Sequence, residues 1–85
     1  MNRFHEISGI WFEEDAMLVG IDGNRMRFDL RQVSEALLKA SEAARNTWEI
    51  SPTGYGIHWP LIDEDLSVDG LLGIAQVPVK NVRSA

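Results

Sequence analysis

Apolar and polar positions alternate from the start of the chain. Phe4 to Phe12 is rich in aromatic and β-branched residues and sets Ile10 and Phe12 against Gly9 and Trp11, the period of two that a half-buried strand presents. Glu13-Glu14-Asp15 makes a polar turn, and Ala16 to Ile21 follows with Met17, Val19 and Ile21 on one face and Leu18 on the other. Asp22-Gly23-Asn24 then separates two β-prone runs. Glycine accepts the positive φ of a tight turn at little steric cost, so this is a strong hairpin signal. Arg25 to Phe28 is the returning strand, with Met26 and Phe28 inward and Arg25 and Arg27 toward solvent.

The period changes after Phe28. Leu30, Val33, Leu37, Ala40 and Ala44 recur at the spacing of one helical face, and Asp29 before them can accept hydrogen bonds from the orphan N–H groups of a first turn. Glu35 and Lys39 stand one turn apart on the outer face, and Asn46 is the expected terminator. Strand composition resumes at Trp48 to Ile50, Ser51-Pro52-Thr53-Gly54 is a turn, and Tyr55 to Trp59 completes a second hairpin that Pro60 stops. Ser67 can cap a short helical turn through Asp69 and Leu72, with Gly73 ending it.

The fold these elements predict is α+β: a small antiparallel sheet of two hairpins packed on one amphipathic helix, with a short C-terminal helical turn. Residues 1–73 form the single domain, and 74–85 a loose tail or edge strand. Val19, Phe28, Leu30, Val33 and Leu37 share its core with Phe4 and Phe12. At least two of Trp11, Trp48, Tyr55 and Trp59 are expected to be buried, and the remaining aromatic surface is left for contact.

Composition narrows the function classes. The 85 residues, 45% hydrophobic and 25% charged, suffice for one modest core. With no cysteine there is no disulfide framework and no thiolate ligand, which suits a reducing cytoplasm. No apolar run approaches the roughly 20 residues of a membrane span, and the first residues lack the apolar core of a signal peptide. A cytoplasmic protein is expected. The formal charge of −5 disfavours phosphate-based binding of nucleic acid. From Asn46 to Val79 there is no Lys or Arg, whereas Glu49, Asp63, Glu64, Asp65 and Asp69 are acidic, so basic partners are favoured over polyanions. Acidic loops also serve simply to keep a small protein in solution.

Candidate chemistry gathers between Gly54 and Ser67, where an aromatic, glycine-punctuated strand meets three consecutive carboxylates. His58 with Asp63, Glu64 and Asp65 can in principle supply a metal site or an acid and base, but the spacing matches no recurrent ligand motif. A lone strand histidine there more often makes a structural hydrogen bond. His5, beside an end expected to fray, has a weaker claim still to a metal or catalytic role. Asp63-Glu64-Asp65 reads first as a solvated loop and second as a protein contact. Ser8, Ser34, Ser41, Ser51, Ser67 and Ser84 lack the Gly-x-Ser-x-Gly elbow, and there is no phosphate loop or other cofactor motif. The leading expectation is a non-enzymatic binding module, with Tyr55, His58, Trp59, Asp63, Glu64 and Asp65 facing a basic partner protein. The same patch suits a homodimer. An enzyme centred on His58 and a DNA-binding regulator are the alternatives.

The Asp22-Gly23 turn, Phe28-Asp29-Leu30 at the helix start, and Ile57-His58-Trp59-Pro60 with the acidic segment after it carry a family likeness. From about Ile7 to Leu72 the chain resembles the small bacterial proteins grouped as domain of unknown function 2442. Most members have no assigned activity. Members are similar to proteins encoded beside small toxin-like partners, and some resemble the N-terminal part of longer chains that end in a helix-turn-helix. The resemblance therefore implies an antitoxin-like or accessory role.

Overall fold

The structure, a computed structural model, describes residues 5–74. Its first half is a meander of β1 (Ile7–Glu13), β2 (Ala16–Ile21) and β3 (Asn24–Asp29), paired antiparallel in that order. Asp22 and Gly23 both take positive φ, 51° and 87°, and Ile21 pairs directly with Asn24. Two left-handed residues in succession match the twist of the strands they join. The register places Phe12, Met17 and Phe28 in one cross-strand row and Ile10, Val19 and Met26 in the next, and all six belong to or pack against the core. Trp11, Arg25 and Arg27 stand on the opposite face, with the Arg25 guanidinium 4.7 Å from the Trp11 ring centroid.

The helix expected from Leu30 to Ala44 is instead three single turns, α1 (Leu30–Val33), α2 (Glu35–Leu38) and α3 (Glu42–Arg45). The second and third turns each begin after a serine. Ser34 and Ser41 have extended backbones, and their hydroxyls accept the N–H groups of Leu37 and Ala44, each at 3.1 Å. A serine hydroxyl offers the backbone an alternative to continuing a helix, and here that local bond prevails twice. The apolar face survives the breaks, because Leu30, Leu37 and Ala44 stay buried and Val33 packs half-buried against them. Asp29 caps the first turn through Arg31 N at 2.9 Å, and Asn46 ends the third, as expected. Arg45 compensates for interrupted helix ends by donating to the carbonyls of Leu37, Leu38 and Glu14 at 2.7 to 3.0 Å.

The second half forms a separate sheet rather than extending the first. β4 (Glu49–Ile50), β5 (Gly56–Trp59) and β6 (Glu64–Ser67) pair antiparallel in chain order, and residues 68–74 form α4. The acidic segment is thus no loop. Only Asp63 lies in the turn, with φ 53°, while Glu64 and Leu66 point half-buried to one side of β6 and Asp65 and Ser67 to the other. Ser67 caps α4 through Gly70 N at 2.9 Å, and the helix continues through Gly73, which does not end it.

Ile57, Trp59, Val68 and Leu71 join Met17, Val19, Ile21, Phe28, Leu30 and Leu37 in one core shared by both sheets and the helices. Of the four aromatics only Trp59 is fully buried; Trp48 is half-buried, and Trp11 and Tyr55 are exposed. The expectation of two buried aromatics therefore holds for one, because Ile, Leu, Met and Val fill most of a small interior. Phe4 and the expected tail at 75–85 lie outside the described residues, and Ile74 belongs to α4. No helix among the described residues is long and apolar enough to cross a membrane.

Candidate functional site

β5 alternates strictly, with Ile57 and Trp59 turned into the core and Gly56 and His58 turned out. The antiparallel register then fixes the neighbours of His58: Glu49 on β4 and Asp65 on β6 lie directly opposite it on either side. Cross-strand partners share a face, so Glu49, His58 and Asp65 form one row across the outer surface of the second sheet. His58 Nδ1 lies 2.7 Å from Asp65 Oδ1. Since a carboxylate only accepts, that nitrogen carries the proton.

The Asp65 hydrogen bond raises the His58 pKa above the usual 6.5; desolvation opposes it, and the charges of Asp65, Glu49 and Asp63 each add a lesser push upward. Asp65 is bonded to the imidazole, Glu49 stands opposite it on β4, and Asp63 acts on it from the turn by charge alone. Beside the row runs a groove of about 470 Å³ whose lining includes Ile50, Pro52, Tyr55 and Leu66 along with Glu49, His58 and Asp65. Tyr55 is 60% exposed.

Three of the six residues expected to face a partner line this groove, Tyr55, His58 and Asp65, and Asp63 in the adjoining turn acts on His58 through its charge. Trp59 is not among them, for it has no exposed surface and its indole N–H donates to the Arg45 carbonyl at 3.0 Å. Glu64 is turned away too and accepts the Ser34 hydroxyl at 2.6 Å. Glu49 takes their place. Sequence reading noted its charge but not its register, which only the pairing of β4 with β5 supplies.

The chemistry this face can do is limited by where its hydroxyls are committed. Ser51 Oγ accepts from the N–H groups of Tyr55 and Gly56, and Ser67 Oγ from that of Gly70. Among the described residues no hydroxyl is bonded to His58, and no cluster of His, Asp and Glu has the geometry of a metal site.

The second histidine, His5, has a structural part that its place near the start of the chain does not reveal. His5 Nδ1 lies 2.9 Å from Asp22 Oδ2 and Nε2 3.0 Å from Asp69 Oδ1, so both nitrogens must donate and the ring is an imidazolium. The bond to Asp22, then that to Asp69, raises its pKa above 6.5. Its backbone N–H reaches the Thr53 carbonyl at 3.1 Å. It joins the turn of the first sheet, the turn of the second and α4, which is a fastening of the fold.

The family model described as protein of unknown function (DUF2442) matches residues 7–76. A solved protein of unknown function from Rhodospirillum rubrum is 27% identical, with a TM-score of 0.66, over 91% of this chain and 96% of that one. No curated protein matches the sequence.

Proposed function

We propose that this chain, which belongs to the DUF2442 family, is a non-enzymatic module that holds a basic protein on the outer face of its second sheet. One observation carries the reading: Glu49, His58 and Asp65 form a row beside an apolar groove, with Tyr55 exposed at its edge. Carboxylates beside an apolar groove with an exposed aromatic are the surface expected of a protein contact, in which Tyr anchors and the charges steer the encounter. A partner that is small and toxin-like is the form this role takes if the family likeness extends to function. An enzyme centred on His58 is less well supported, because its ring meets a carboxylate and no nucleophile.

The test compares the native protein with a Glu49→Gln, Asp63→Asn, Asp65→Asn variant as bait in lysate of the source cell. Glu64 is left alone, since it serves Ser34. A basic protein held by the native bait at low salt, lost from the variant and released by salt is the expected result. Equal retention by both baits would overturn the reading.

A further inference from the structure

We propose that the groove on the second sheet seats a single guanidinium-bearing side chain of an extended partner segment, and that His58 is its built-in competitor. The inference rests on the binding face argued above and names what that face recognises. The groove, about 470 Å³, is in the size range of small-ligand sites. Its lining includes Pro52, Gly56 and Tyr55, the last of these exposed, while Ile50 and Leu66, in one row with buried Ile57, border it from the core-facing side of the sheet. Glu49 and Asp65 stand on the two strands that flank β5.

An occupant matched to that layout has an apolar stem, a flat cationic head and a preference for carboxylates. Arginine has all three. Its methylenes lie on apolar surface, its guanidinium stacks on an aromatic ring, and its fork meets a carboxylate through two parallel N–H bonds. Lysine, a strongly hydrated point charge, gains less from the ring and cannot make the paired bond.

His58 already occupies part of this arrangement. Its Nδ1 is bonded to Asp65 at 2.7 Å, and Asp65, Glu49 and Asp63 are the charged groups that act on it. Residues 46 to 79 contain no Lys or Arg, so along this stretch the imidazolium is the internal cation. A guest cation on Asp65 displaces the ring and is repelled by its charge. Binding and protonation of His58 therefore oppose each other, and by linkage the guest binds more tightly as pH rises.

The experiment titrates the full chain with butylguanidinium, followed by NMR at the backbone amides of Glu49, His58 and Tyr55. Butylurea, the neutral analogue of the same shape, is the control. Butylguanidinium should shift these amides and bind about two- to fivefold tighter at pH near 8.5 than near 5.5, the range an exposed charge pair supplies. Butylurea should bind more weakly with no pH dependence. His58→Gln should remove the pH dependence while the Trp59 indole signal stays in place as a check on folding. Tyr55→Ser, altering an exposed side chain, should weaken butylguanidinium about two- to fivefold at both pH values.

Equal binding of the two probes, or a pH dependence that survives His58→Gln, overturns the proposal. If butylguanidinium fails to bind while the triple amide variant still loses its partner, the face acts by charge alone and only this inference falls. If that variant keeps its partner, the binding face itself falls.

Discussion

Gly54 shows how one residue can hold two sheets in register. Its φ is 71°, it is buried, and a Cβ built on it collides with the His5 carbonyl. The left-handed backbone alone costs an L-residue roughly 1–2 kcal/mol, and the collision adds to that. Gly54→Ala should therefore lower stability by more than this range in denaturant melts; a loss below about 0.5 kcal/mol, typical of neutral surface changes, would contradict the close approach. His5 sits on the other side of the same contact, and its pH dependence has a definite sign. Its folded pKa is raised, so its contribution is complete below the ordinary 6.5 and is lost as pH rises through the folded value. Asp22 has a lowered pKa, chiefly from the same bond, and its contribution is present above 3.8 and lost as pH falls through the folded value. Melting temperature should fall as pH rises above 6.5, and His5→Gln should flatten that fall. His58 has the same sign, so a decline that His5→Gln leaves untouched would assign it to His58 instead.

At the scale of elements, what sequence reveals depends on whether one pattern or two competing ones occupy a segment. The β2–β3 hairpin was legible in full, because Asp22-Gly23 and the alternation around it agree. From Leu30 to Ala44 a helical apolar face coexists with Ser34 and Ser41, and periodicity alone does not reveal that capping prevails. The acidic run was misread because three carboxylates hide the alternation of Glu64, Asp65, Leu66 and Ser67. Of the binding face, the carboxylate and aromatic composition was visible, whereas Trp59 and Glu64 were assigned to it without knowing which way β5 and β6 turn their side chains. Ser34 tests this picture. Ser34→Ala removes the cap on α2 and the donor to Glu64, and should cost about 0.5–2 kcal/mol from the cap with more from the lost bond. Far-UV circular dichroism should show a gain in helix as α1 and α2 join; an unchanged spectrum would mean that packing around Ser34, and not its cap, keeps the two turns apart.

Across the whole molecule the two sheets share one core but present different outer faces. On the first, Arg27 pairs with Glu13 at 2.9 Å and Arg25 lies over Trp11, so both cations have a local partner. On the second, Glu49, Asp63 and Asp65 act on one histidine, with no Lys or Arg between residues 46 and 79. This asymmetry gives the domain an acidic side, and exposed charges of this kind act mainly on the rate of encounter. The most direct measurement is the association rate of the captured basic partner, taken as a function of salt, with the native protein and with the Glu49→Gln, Asp63→Asn, Asp65→Asn variant. The native rate should fall steeply as salt rises, and the variant should associate more slowly with a flatter dependence while keeping the native melting curve. Equal rates and equal salt slopes would contradict the assignment of the second sheet as the binding face.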